Sequence, residues 1–221
     1  MEYAPGRAVD LYGEPTQPTV LLWHGMQSNA RATVRPLAEL VASHGVGVVA
    51  PDWDSHAADG GRADLLHSVD FARKRTEQPD RLVLVGWSMG GAAAAGLTLR
   101  ANEFDVAFAH TLCLAGAFMA RDPISGRRVD EGLSGGVVGA PFTLLHGIDD
   151  DVVPVEASRT FAAALDRMGW PVEVVELATD HGAIAGATYD PAADGYSPAE
   201  DAATLAVAGD VAARIAALCG R

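Results

Sequence analysis

The sequence predicts an α/β fold, a mostly parallel sheet flanked by helices on both faces, in one domain spanning residues 1–221. Three observations predict it. Short runs of apolar residues recur along the chain, and they are continuous rather than alternating, as strands buried on both faces require. Stretches with helical character separate most of them, at the spacing of right-handed crossover units. The chain is 49% hydrophobic and 20% charged, which is enough apolar material for a sizeable core at this length.

The elements follow in order. "AVDLY" (8–12) is expected to add an antiparallel edge strand. "TVLLW" (19–23) is the first central strand and precedes a helix over 31–44. "VGVVA" (46–50) leads to a helix over 62–77, and "RLVLVG" (81–86) to a helix over 89–101. "TLCLAG" (111–116) and "PFTLLHG" (141–147) are the next strands, the latter followed by a helix over 156–168. "PVEVVEL" (171–177) and a helix over 199–218 complete the pattern. Two segments break the rhythm, 117–140 and 182–198, and both read as long loops. Long loops in a compact domain are commonly functional. These two are expected at the carboxyl ends of the strands, where open α/β sheets bind ligands.

Charge and cysteines exclude several classes of function. The formal net charge is −13 and the isoelectric point about 4.8. Nucleic acid demands basic surface, and anionic membranes repel an acidic one, so neither is an expected partner. No apolar stretch reaches the ~18 residues of a membrane span, and the N-terminus lacks a basic-then-apolar leader pattern. The expected location is the cytoplasm. Cys113 and Cys219 are the only cysteines and lack C-x-x-C spacing. No zinc site or redox pair is therefore expected.

Chemistry concentrates at residues 81–96, "RLVLVGWSMGGAAAAG". Gly86-Trp87-Ser88-Met89-Gly90 matches G-x-S-x-G. With this Gly and Ser content, chance placement gives the pattern in roughly one chain in ten. Its context adds weight: a strand-like run enters it and a helix-like run leaves it, as at a nucleophile elbow. Such a turn strains the Ser backbone and brings its neighbours so close that only Gly fits beside it.

A serine hydroxyl is a weak nucleophile at neutral pH and needs a base oriented by an acid. On such scaffolds the chain order is Ser, acid, His. After Ser88, "LLHGIDDDVVP" (144–154) leaves a strand with Asp149, Asp150 and Asp151, and "ATDHGAI" (178–184) leaves the next with His181. Spacing leaves the three aspartates open. Asp180 is a weaker rival, expected to bond within its own loop. Among the other histidines, His44, His56, His67 and His110 read as surface or element-end residues. His24 and His146 sit in His-Gly turns and are expected to orient backbone there. The three strand exits bring Ser88, an aspartate and His181 to one edge of the sheet.

With these motifs the chain resembles a small α/β-hydrolase of the esterase/lipase and dienelactone-hydrolase-like kind. The resemblance runs from "VLLWHGMQSN" to the final helix. It implies the α/β-hydrolase fold without a large cap domain. The stretch His146-Gly147-x-x-Asp150-x-x-Val153-Pro154 resembles the family's acid loop, which implies Asp150 as the acid. His24-Gly25-Met26 resembles the turn that supplies an oxyanion-hole amide, which implies the Met26 N–H, with the Met89 N–H as second donor. The implied catalytic set is Ser88, Asp150 and His181, with no metal and no cofactor, because acyl transfer needs neither.

Pocket residues are read more loosely. Trp53 and Trp87 lie beside the motifs and Met119 opens the 117–140 segment, so all three are candidate pocket walls. That segment is too short and polar for a helical cap, which predicts an open pocket or one covered by a flexible flap, suited to small soluble esters. Arg121, Arg127 and Arg128 within it could pair a substrate carboxylate, with solvated loop cations as the default reading. Relatives acting on dienelactones more typically carry Cys at the elbow, so Ser88 favours an esterase. The alternatives kept open are a lactone, thioester or amide hydrolase (a formamidase or peptidase), and a hydrolase-fold protein that binds a small ligand with little turnover.

Overall fold

The computed structural model describes residues 1–131 and 139–220. Strands β1 (Glu2–Ala4), β2 (Arg7–Tyr12), β3 (Thr19–Trp23), β4 (Gly47–Pro51), β5 (Val83–Trp87), β6 (His110–Leu114), β7 (Phe142–Gly147) and β8 (Val172–Leu177) form one sheet in the order β1-β2-β4-β3-β5-β6-β7-β8. The six strands from β4 to β8 in that order run parallel, while β2 is antiparallel to β4 and β1 to β2. Strands β3, β4 and β5 are buried along their full length. That is why they read as unbroken apolar runs rather than alternating ones.

Helices cover both faces. Leu37, Ala38 and Val41 of α1 (Arg35–Ser43) pack with Val211, Ala212 and Ile215 of α5 (Ala202–Leu218) in one apolar layer. On the other face Leu65 and Val69 of α2 (Arg62–Arg75), Ala93 and Leu97 of α3 (Met89–Leu99), and Phe161 and Leu165 of α4 (Glu156–Arg167) form the second. The final helix begins at Asp201, whose carboxylate caps the Thr204 N–H at 2.8 Å, rather than at 199. Residues 31–34 form a 3-10 turn ahead of α1 instead of belonging to it.

Two expectations are corrected. "AVDLY" does form an antiparallel strand, but β1 pairs outside it, so β2 is second from the edge. The 182–198 segment is not an irregular loop. It holds a 3-10 turn (Ala183–Ala185) and an antiparallel hairpin, β9 (Ala187–Asp190) with β10 (Gly195–Pro198). Among the described residues no helix is long and apolar enough to cross a membrane.

The order in which strands are added reverses at β3. β4 pairs on one side of β3 and β5 on the other, with Trp23 opposite Gly86. Crevices form outside the carboxyl ends of the strands at such a switch point. The residues leaving β3 and β5 there are His24 to Met26 and Ser88.

Candidate active site

Ser88 lies between the end of β5 and the start of α3 at φ 56°, ψ −117°. This conformation is strained for a side chain larger than Gly, by about 1–3 kcal/mol. Surrounding bonds enforce it. The Ser88 N–H donates to Leu114 C=O (2.9 Å), and the Ser88 C=O accepts from Gly91, Ala92 and Ala117 N–H. A Cβ at Gly86 would stand 2.1 Å from Gly90 O, and one at Gly90 would stand 2.4 Å from His24 O. No side chain fits at either position, so both glycines of the motif are sterically required.

Asp150 and His181 meet. The His181 Nδ1 lies 2.7 Å from Asp150 Oδ2, and the Asp150 side chain has no exposure. Asp150 Oδ1 accepts the Val152 and Val153 N–H at 2.9 and 2.8 Å. Burial alone would raise this carboxyl's pKa. Hydrogen bonds from His146, His181 and the Val153 amide outweigh burial and hold it well below the usual carboxylate range. An ionised carboxylate only accepts, so His181 Nδ1 carries a proton, and in the neutral ring Nε2 is the nitrogen with the free lone pair. Asp149 and Asp151 are exposed and lack that partner. Asp180 accepts the Gly182 and Ala183 N–H at 2.9 and 2.8 Å, a bond within its own loop.

Trp87 links the Ser88 turn to His181. Its indole N–H donates to His181 C=O at 2.8 Å, and the two rings lie 5.4 Å apart. Among the described residues Ser88 Oγ has no hydrogen-bond partner, His181 included. Such bonds are often long in free enzymes and tighten with substrate.

On the opposite side, Met26 follows Gly25, which abuts Ser88: a Cβ at Gly25 would lie 3.3 Å from Ser88 Cβ. The Met26 and Met89 N–H groups have no acceptor among the described residues. His24 is fully buried. Its Nδ1 lies 2.8 Å from Gly25 O, and its Nε2 accepts the Ala30 and Trp53 N–H at 3.3 and 3.2 Å. Burial lowers its pKa to about 4.

The pocket expectations fare differently. Trp53 and Trp87 are buried, at 0% and 1% exposure, so neither walls an open pocket. Trp53 is held inside by its indole N–H on His24 C=O (3.1 Å) and by stacking on the His24 ring. Met119 is 45% exposed and lines a cavity of about 250 Å³ with Phe118, Val129, Pro154 and Phe161. Arg121 donates to Gly126 C=O and Arg128 pairs with Asp130, while Arg127 is exposed. The described part of the expected flap is pinned. Asp122, fully buried, accepts the Ile124 and Ser125 N–H and the Ser125 hydroxyl, and faces Arg100 at 3.8 Å. Residues 132–138 of that flap lie outside the described residues.

Two neighbours of the site, Tyr196 and Gln27, are absent from the sequence reading, and a third, His146, contacts side chains as well as the backbone expected of it. Tyr196 on β10 packs 5.0 Å from Trp87 and 5.8 Å from His181. Gln27 ties the Met26 turn to the same hairpin through Tyr196 N–H and C=O. His146 Nε2 sits 2.8 Å from Val153 O and 3.3 Å from Asp150 Oδ2, and its Nδ1 pairs with Ser158 Oγ at 2.7 Å. The alternating "TYD" and "GYSP" around the turn-forming "PAAD" signal the hairpin. Nothing in the sequence signals the contacts it makes. Among the described residues no three His, Cys, Asp or Glu side chains are grouped to hold a metal ion.

Comparison with known proteins bears on the fold. No curated protein matches the chain. Among solved structures it is similar to a thermophilic esterase from the Planctomycetes species Thermogutta terrifontis with propionate bound. There the TM-score is 0.70 at 20% identity, over 97% of this chain and 93% of that one. The butyrate-bound form of that esterase gives 0.67 at 18%, over 95% and 89%. The form phosphoramylated by tabun gives 0.69 at 18%, over 95% and 89%. At such identity the likeness is one of fold. A family model described as the alpha/beta hydrolase family matches residues 20–220. That match runs from the first central strand to just past the last helix, and on it the chain belongs to the alpha/beta hydrolase family.

Proposed function

We propose that the protein is a serine hydrolase that cleaves small, soluble carboxylic esters through an acyl-enzyme intermediate. The observation that carries this reading is the 2.7 Å bond between Asp150 and His181, formed in the family whose nucleophile turn Ser88 occupies. Ser88 Oγ attacks the acyl carbon and gives its proton to His181 Nε2. The Met26 and Met89 amides hold the oxyanion, and Asp150 stabilises the imidazolium. The leaving alkoxide takes the proton from Nε2, and water repeats the sequence to release the acid.

Two features support small substrates without a carboxylate. The Arg121 and Arg128 guanidinium groups already have partners, which disfavours a carboxylate-bearing lactone. The similar esterase was solved with propionate and with butyrate, both short acids.

The test is hydrolysis of nitrophenyl esters from acetate to dodecanoate by the wild type and by Ser88→Ala. Activity is expected on the short esters and lost in Ser88→Ala. A folded wild type inert at every chain length would contradict the reading and point to lactones, thioesters, amides or simple ligand binding.

A further inference from the structure

The His-Gly turn after β3 contains a buried imidazole whose hydrogen-bonding directions are fully determined. His24 Nε2 receives two backbone N–H groups, from Ala30 and Trp53. An N–H can only donate, so Nε2 is unprotonated and Nδ1 carries the hydrogen. That hydrogen is donated to the Gly25 carbonyl at 2.8 Å. The same carbonyl also accepts the Gln27 N–H at 2.8 Å.

The Gly25 carbonyl belongs to the peptide unit whose other end is the Met26 N–H. A trans peptide is planar, and its C=O and N–H point in opposite directions. Fixing one fixes the other. Gly by itself gives this peptide little resistance to rotation, because it permits backbone angles closed to other residues. We infer that His24 is a positioning residue for the oxyanion hole: its Nδ1–H turns the Gly25 carbonyl inward and thereby aims the Met26 amide at the carbonyl oxygen of a substrate held on Ser88. This inference rests on the hydrolase reading given above.

Its surroundings support that role. Both acceptor contacts of Nε2 come from segments that must themselves be in place, Ala30 ahead of α1 and Trp53 after β4. Trp53 stacks on the ring and donates its indole N–H to His24 C=O, so the imidazole cannot turn over. Burial keeps the ring neutral to about pH 4, and a neutral ring is the only form that can accept at Nε2.

Two variants separate the ring's two functions. The amide nitrogen of Asn falls near the position of Nδ1, so His24→Asn keeps the donor to Gly25. The amide oxygen of Gln reaches the position of Nε2, so His24→Gln keeps the acceptor and loses that donor. With p-nitrophenyl butyrate, His24→Gln should lose about 10²-fold in kcat, the scale of one oxyanion donor. Its KM should stay within about threefold, because a transition-state interaction is removed. His24→Asn should recover most of that loss. Phosphorylation of Ser88 by paraoxon, which also builds charge on an oxygen, should slow in parallel. A folded His24→Gln with wild-type kcat, or one that changes KM alone, overturns the inference.

A second measurement needs no turnover. Imidazole 15N NMR of the wild type at pH 7 should show His24 as the neutral, Nδ1-protonated tautomer. An Nε2-protonated or charged ring overturns the inference whatever the activity. A wild type inert to esters and to paraoxon would instead overturn the proposed function, even with His24 in the Nδ1-protonated form.

Discussion

Two turns in this molecule are built from the same dipeptide, His-Gly, at the carboxyl ends of parallel strands, and they do different work. In the turn after β3, His24 is an acceptor for two amides and a donor to one carbonyl, all of them backbone. At the carboxyl end of β7 itself, His146 faces Val153 O and the carboxylate of Asp150, with Ser158 behind it. One histidine shapes a backbone amide; the other holds a carboxylate. The glycines differ as well. A Cβ at Gly147 would stand 2.1 Å from the Thr179 carbonyl, which nothing can relieve cheaply. At Gly25 the nearest atom is a Trp87 ring carbon at 3.2 Å, a close side-chain contact rather than a collision with backbone. The Asp150 turn is therefore locked by packing against the segment that delivers His181, while the turn after β3 is held by hydrogen bonds. The same sequence signal acquires its meaning from what the fold places around it.

The largest expected effect lies on the acid side. Asp150→Asn keeps the carbonyl oxygen for the Val152 and Val153 amides but can turn an NH2 towards His181 Nδ1. That favours the wrong imidazole tautomer, and kcat should fall by about 10⁴-fold with the fold intact. Steady-state kinetics and circular dichroism together check it. A loss under about tenfold would mean that the carboxylate does not orient His181, and the contrast between the two turns would collapse.

A smaller effect separates the turns by pH. His24 has a folded pKa near 4 against an unfolded value of 6.5. Between those values the unfolded chain binds the proton and the native one does not. Its contribution is thus complete above about pH 6.5 and is lost as pH falls to about 4, a total of about 3 kcal/mol. Asp150 is depressed below the ordinary carboxylate range. Its contribution is present above about pH 4 and is lost only as pH falls further. Urea unfolding of wild type and His24→Asn between pH 7 and pH 4.5 should show the wild type losing more stability over that interval. Parallel pH slopes would remove His24 as the group responsible.

Much of this was legible in the sequence, and the boundary of legibility is physical. Continuous apolar runs gave away the buried parallel strands because burial on both faces leaves no room for polar alternation. The elbow was legible because Gly86 and Gly90 are forced by contacts within the turn and with the adjacent strand exit. Trp53 and Trp87 illustrate the limit. Their positions beside the motifs suggested pocket walls, yet burial is decided by which residues face them from distant segments. For Trp53 those are His24 and Gly61, and for Trp87 they are His181 and Tyr196. The same holds for Asp150. Three successive aspartates are equivalent in spacing, and the approach of the β8 loop distinguishes one of them.

The proposed function turns on a covalent acyl-enzyme formed at Ser88. The most direct test is mass spectrometry of protein quenched during turnover of p-nitrophenyl butyrate, with peptide mapping of the adduct. One butyryl group on Ser88, absent from Ser88→Ala and accumulating in Asp150→Asn only at a reduced rate, is the predicted result. Turnover without an adduct on any serine, or an adduct that persists in Ser88→Ala, would contradict it.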